Sequence, residues 1–343
     1  MKTILKLLSA NQAKYNRKSS SNSEGFTLIE LLVATIVAVL IITPMLTFVI
    51  DVLNSDTREE AKARGDEEIQ AALKYMEQDM NQAIYFYNSS QIATLADDGV
   101  VPEVGSNPPV IVFWKRQLKQ NAIPVSAANC NDPADCDDTH VLSLVAYYLD
   151  QRNTNPWCPS GSNCPAQITR YSVDDGVRDP TTGTYLCTDD GGSVNCDDTN
   201  ERDSGFPADP TDANIVDATL TVDTALPNPE VLVSYIDSST TDVPDAVNCA
   251  EALGITSDAI AEEQGFASKA DAETETLSNP GLPGGGASNS FYACINPNAN
   301  TAQVRVRGNS LQRVRDGAPY SDDASAYFPT GSIQVRGIGR FGG

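Results

Sequence analysis

Gly25-Phe26-Thr27-Leu28-Ile29-Glu30-Leu31-Leu32-Val33-Ala34 opens a run that stays almost wholly apolar to Ile50. Only Glu30 and a few threonines interrupt it, with Pro44 late in the run. About 20 apolar residues carry a helix across a bilayer, so 26–50 is long enough. Upstream, Lys2, Lys6, Lys14, Arg17 and Lys18 stand against the single acid Glu24. A basic start ahead of a hydrophobic run is the pattern of a segment held on the cytoplasmic side.

An ordinary secretory signal places its cleavage site after the apolar region. Here the small residue, Gly25, comes before it, and no good small-x-small site follows. A plain membrane anchor leaves Glu30 unexplained. A carboxylate inside a membrane helix costs about 2.5–3.5 kcal/mol on insertion scales unless it has a partner. Cleavage between Gly25 and Phe26 accounts for both features. It frees an amine at Phe26, and Glu30 lies about one helical turn beyond it. Between neighbouring chains, Glu30 of an incoming subunit can pair with the Phe26 amine of the subunit already in place. A low-dielectric setting strengthens that pair and fixes an axial register.

The stretch Gly25-Phe26-Thr27-Leu28-Ile29-Glu30, with its basic leader and following helix, resembles the prepilin peptidase site of type IV pilins and type II secretion pseudopilins. The resemblance implies that a peptidase cuts after Gly25 and methylates the new N-terminus at Phe26. It also implies that Glu30 guides the subunit into a filament. Other pilins or pseudopilins, the prepilin peptidase, an inner-membrane platform protein and an assembly ATPase are the implied partners. The implied location is the inner membrane, crossed once, with the head in the periplasm and assembly into a periplasmic or cell-surface filament. Ala72-Leu73-Lys74-Tyr75-Met76-Glu77-Gln78-Asp79-Met80-Asn81-Gln82-Ala83 is similar to the helix end of J-type minor pseudopilins. The overall build resembles the hormogonium polysaccharide secretion pseudopilins of filamentous cyanobacteria. The expectation is therefore a non-enzymatic minor pseudopilin serving polysaccharide secretion. A type II secretion tip subunit for protein export, or a minor pilin for motility, adhesion or DNA uptake, are the alternatives.

Along the chain this gives a leader at 1–25, a membrane or filament-core helix at 26–50, an amphipathic continuation at 51–88 and a head at 89–343. Ile69, Leu73, Met76, Met80, Ala83 and Tyr87 recur at helical spacing and make the core-facing stripe. Arg58, Glu59, Lys62, Asp66, Glu67, Lys74, Glu77 and Gln78 form the opposite side. Gly65 and Pro44 read as weak points, since proline lacks the amide donor and can kink a helix. From Ser89 the pattern turns to strands: 110–114, 141–149, 167–173, 231–236, 291–295 and 303–307 are β-branched or aromatic runs bounded by turn residues. Short helical turns are expected within 247–265, and the Gly-rich tail 331–343 is expected to fray. A helix followed by strands is an α+β fold, with an antiparallel sheet packed on the helix stripe.

Eight cysteines all lie between Cys130 and Cys294. They fall into couples: Cys130 with Cys136, Cys158 with Cys164, Cys187 with Cys196, and Cys249 with Cys294. An even number in loop-like surroundings after a membrane segment reads as disulfides in an oxidising space. The sequential pairing is the simplest of the roughly 105 that eight cysteines allow. CxxC couples and histidine clusters of a zinc site are absent from the sequence. No cofactor is expected. Calcium stays open for the acidic runs Asp135/Asp137/Asp138, Asp174/Asp175, Asp189/Asp190 and Asp197/Asp198, although none has EF-hand spacing.

A formal charge of −23 disfavours nucleic acid and anionic lipid as partners. His140 is the single histidine, and no G-x-S-x-G elbow accompanies it. Gly284-Gly285-Gly286 lacks the strand–turn–helix setting of a phosphate loop. Arg305, Arg307, Arg313 and Arg315 alternate and read as one positive face, either solvated or set against an acidic neighbour.

Overall fold

A computed structural model describes residues 26–104, 107–125, 136–151, 158, 163–186, 201–208, 210–222, 226–281 and 288–339. The chain divides into two compact units, the first ending at Asp56 and the second starting at Thr57. One helix, α1 (Leu28–Met80), runs through both. The fold is α+β: this long apolar-to-amphipathic helix, two antiparallel sheets and disulfides among the connections.

In the second unit the buried residues of α1 are Ala61, Gly65, Ile69, Ala72, Leu73, Met76, Asp79 and Met80. The expected stripe therefore holds from Ile69 to Met80 and then stops. Ala83, read as part of that stripe, starts strand β1 (Ala83–Phe86), and Tyr87 follows the strand. Every residue of β1 is buried. A run of Ile, Tyr and Phe that is buried on both faces satisfies a helical spacing and a strand equally well. After β1 comes α2 (Ser89–Asp97), which the strand-like reading of that region did not anticipate. Asn88 caps it, accepting from Gln91 N–H while the Gln91 side chain accepts from Asn88 N–H, a reciprocal capping box.

The first sheet is an antiparallel meander of β1, β2 (Ile111–Pro124), β3 (Cys136–Gln151), β4 (Ala166–Asp174) and β5 (Glu230–Ile236). The strands β2 and β3 extend well past the apolar runs that announced them, because their outer halves pair through polar residues such as Lys119 with Thr139. One short helix, α3 (Asp212–Val216), precedes β5. Then come α4 (Cys249–Ala252), α5 (Asp258–Glu263) and α6 (Lys269–Glu275), each opened by an Asn or Ser cap. The first two fall within the expected turns; the third lies beyond them. They share a small core of Ala250, Ile255, Ala261, Phe266 and Ala272.

The second sheet is β6 (Leu277–Ser278), β7 (Phe291–Asn296), β8 (Thr301–Arg307) and β9 (Thr330–Arg336). The tail expected to fray supplies β9, which pairs with β8 from Thr301↔Arg336 to Arg307↔Thr330. Its glycines have a packing reason. A Cβ at Gly331 would run into the Leu73 side chain of α1. Gly65 is likewise no weak point. A Cβ there would strike the Ser310 hydroxyl, so the missing side chain is what lets α1 lie against the turn after β8. Both sheets and α1 share one core, in which Ile69, Leu73 and Met76 meet Phe113, Val145, Ile168, Val304 and Val306.

Disulfides join Cys158 to Cys164 and Cys249 to Cys294. The second closes a loop of 45 residues and ties α4 to β7, stabilising by about 4 kcal/mol in the chain-entropy picture. Cys136, at the start of β3, is disulfide-bonded as well. Cys130, Cys187 and Cys196 lie outside the described residues.

Because Gly65 has the Ser310 side chain where a methyl would sit, Gly65→Ala forces the helix off its seat. Overpacking of this kind costs about 1–3 kcal/mol, to be read as a lowered urea midpoint with unchanged slope. A midpoint equal to the parent's would show that the helix does not bear on Ser310.

Candidate assembly site

Phe26 and Thr27 precede α1, and the Thr27 hydroxyl accepts from the Glu30 backbone N–H at 3.3 Å. The Thr27 carbonyl accepts from Glu30 and Leu31 N–H, both at 3.1 Å. Thr27 is thus the cap of the helix, and Glu30 sits in its first turn. There the exposed amides favour a negative charge. Thr27 carries a role that the reading of the sequence overlooked; the T-x-x-E spacing was its signal. Gly25 lies outside the described residues, so of the proposed cleavage pair only Phe26 is placed, and it is exposed.

From Leu28 to Leu53 the large apolar side chains of α1 face outward on every side, among them Leu31, Ile36, Leu40, Met45 and Phe48. An apolar surface of this extent exceeds what a soluble monomer leaves open. The helix contains a window long and apolar enough to cross a membrane, none of it buried. Its polar side chains are satisfied from within: the hydroxyls of Thr35, Thr43 and Thr47 donate to carbonyls one turn back, at 2.8, 2.8 and 3.1 Å. Such bonds suit an environment without water. The helix continues through Pro44, which offers no amide to the preceding turn. Glu30 lies on a shallow face with Ile29, Val33, Ala34, Val37 and Ala38, and it is the lone acid of the apolar stretch.

At its other end α1 is fixed by a buried ionic junction. Asp79, 6% exposed, lies in the last turn of the helix beside Met80, where the buried stripe ends. Its Oδ1 accepts from Lys115 Nζ at 2.6 Å. Its Oδ2 accepts from Arg170 Nε at 2.8 Å and from the Tyr147 hydroxyl at 2.7 Å. The donors come from β2, β4 and β3, and Lys115, Tyr147 and Arg170 lie on the same face because Tyr147 pairs with Arg170 and Ser143 with Lys115. Burial pushes the Asp79 carboxyl up, but the hydrogen bond and charge of Arg170, with those of Lys115, outweigh it and hold the group below its ordinary range. Burial, and then the charge of Asp79, push the Tyr147 hydroxyl well above its usual value.

The other candidate residues are distributed more plainly. His140 is exposed on β3, opposite Leu118. Asp138 accepts from the Asn121 N–H at 2.9 Å, and Asp174 pairs with Lys119 at 2.9 Å. Asp175 accepts from the Tyr185 hydroxyl. Among the described residues no three His, Cys, Asp or Glu gather as a metal site. Asp135, Asp189, Asp190, Asp197, Asp198 and Gly284 to Gly286 lie outside the described residues. The four arginines expected on one face are separated. Arg307 is buried on Asp237 at 2.9 Å, and Arg313 pairs with Glu68 and covers the Tyr235 ring. Arg315 is exposed. A chain reversal through a short 3₁₀ turn at Ser310–Arg313 follows Arg307 and breaks the alternation.

Comparison with family models, curated proteins and solved structures returns no match for this chain.

Replacing Asp79 with Asn leaves the buried Lys115 and the half-buried Arg170 without their anion. Asp79→Asn is expected to cost about 3–5 kcal/mol, measured by urea unfolding. Since the folded carboxyl titrates below its unfolded value, its contribution is present above about pH 4 and fades as pH falls through the folded value. The stability difference between parent and Asp79→Asn should therefore shrink below pH 4. A difference that stays constant to pH 2 would remove Asp79 as the cause.

Proposed function

We propose that the chain is a structural subunit of a type IV pilus-like filament, a minor pseudopilin held in the inner membrane by its N-terminal helix. The observation that carries this reading is the apolar half of α1, unburied throughout and bearing one carboxylate in its first turn. Such a surface is stable in lipid or against other helices of its kind. A lone Glu one turn from a new N-terminal amine gives neighbouring helices a matching charge. Disulfides in the second unit suit an oxidising compartment, so the head lies in the periplasm under this proposal. The prepilin peptidase, platform protein and ATPase are its proposed partners.

The narrower proposal is that the filament serves polysaccharide secretion. It rests on the resemblance in overall build: a basic leader, an acidic cysteine-bearing head and a J-like helix end. In a deletion strain, lectin-stained secreted polysaccharide should fall while the major surface pilin is retained. Unchanged polysaccharide would move the assignment to protein export or pilus priming.

Two measurements test the subunit reading itself. Intact-mass analysis of membrane-extracted protein should give a start at Phe26 carrying one methyl group; a start at Met1, or beyond Ile50, would sink it. Glu30→Gln keeps the Thr27 cap, which uses backbone and hydroxyl atoms alone, and removes only the charge. It should enter the membrane normally yet drop out of sheared filaments by about tenfold or more. Filament incorporation at the parent level would show that the carboxylate serves the helix end and nothing further.

A further inference from the structure

Beyond Met80 the helix no longer covers the first sheet, and the face it leaves open is polar. Ile111 and Phe113 of β2 lie under α1, but the next residues on that face are Lys115, Gln117 and Lys119. On β4 the series runs Ile168, Arg170, Ser172, Asp174. Of these, Lys115, Gln117, Arg170, Ser172 and Asp174 line a cleft of about 420 Å³ with Tyr75, Gln78, Asp79 and Gln82. That lies within the size range of small-molecule sites. The face turns from apolar to polar where the helix end leaves it: Lys115 and Arg170 hold Asp79, and the residues beyond them meet solvent.

The charges of the cleft are mostly neutralised inside it. Asp79 takes Lys115 and Arg170, and Asp174 takes Lys119 at 2.9 Å. What remains on offer is hydrogen bonding. Among the described residues nothing engages the side-chain amides of Gln78, Gln82 or Gln117. An amide presents donors and an acceptor together, as adjacent hydroxyls of a sugar do. Tyr75 is 44% exposed, and the Arg170 guanidinium stands 5.8 Å from its ring centre. The ring offers an apolar face beside polar groups, matching the C–H face of a pyranose beside its hydroxyls. A polyanion would meet the field of a chain carrying −23, which repels it before it arrives. A protein partner would need an apolar centre to its contact, and this cleft is lined by glutamines, serine and paired charges.

We propose that this cleft is a binding subsite for a neutral saccharide, with Gln82, Gln117 and Gln78 bonding its hydroxyls and Tyr75 under its ring. The proposal deepens the reading of a subunit for polysaccharide secretion and rests on it for its biological setting. Its test does not, because binding is measured on the purified full chain and assembly is not involved.

The full chain, held in a sugar-free zwitterionic detergent, is titrated with cellotriose, maltotriose and mannotriose, and with trigalacturonate as the anionic arm. At least one neutral trisaccharide should bind saturably, with saturation transfer to its ring protons. The double variant Gln82→Ala/Gln117→Ala should weaken that binding about tenfold or more at an unchanged melting temperature. Tyr75→Leu should do the same, and stands in if the double variant does not fold. Absence of saturable binding by all three neutral probes would overturn the proposal. So would binding indifferent to these substitutions, or trigalacturonate binding tighter than every neutral probe.

Discussion

One carboxylate holds the second unit together. Asp79 lies in the last turn of α1 and is met by Lys115, Tyr147 and Arg170 from three consecutive strands. Hydrophobic contact alone is non-directional and would let a helix slide or turn on a sheet by a residue with little loss. A buried anion with three specific donors does not allow that. Two cations around one anion are tolerable in the interior only when the geometry is satisfied. The junction therefore fixes both the rotation of α1 and its distance along the sheet.

The second sheet is referred to the same helix by packing. Gly65, Gly308 and Gly331 are the positions where backbone replaces side chain so that Ile69, Leu73 and Ser310 can close up. The two sheets connect where β5 ends. Ile236 bridges Gly308, and Asp237 N–H donates to the Arg307 carbonyl. At the corner Tyr235 adopts a φ of 60°, a left-handed conformation that a bulky residue rarely takes. Arg313, itself paired with Glu68 of α1, lies over its ring. The Arg307–Asp237 pair, with Asn309 and Ser239 on the same carboxylate, makes the second buried ionic site. Each sheet is thus bound at a point where a charge has been withdrawn from water and fully supplied with partners.

The readable parts of the sequence were those governed by one strong local rule. The apolar run from Phe26 to Ile50 admits only a long helix, and the six β-branched or aromatic runs all lie in strands or at their edges. Errors arose where two rules coincide. Ala83 and Tyr87 continue a helical spacing, yet Asn81 and Gln82 form a turn and the following apolar residues are buried on both faces as β1. Glycines in the tail suggested fraying, while their real cause, the closeness of Leu73, is a tertiary fact with no local trace. Asp79 was unreadable for the same reason. It sits among charged and polar residues at a helix end and looks solvated, and its partners are up to 91 positions away.

That distance sets an order of events as the chain is made. The helix emerges first, but its end cannot leave water until Arg170 and Lys115 are at hand to meet Asp79. Docking it earlier would strand an anion in an apolar contact. Until β4 has been synthesised, the stripe of Ile69, Leu73, Met76 and Met80 has no completed seat. The membrane-length half of α1 has no such requirement, since none of it depends on burial within the chain. The two halves of the helix are thereby separated in time: the apolar half waits for nothing that follows it, while the stripe waits for the sheet that will hold it.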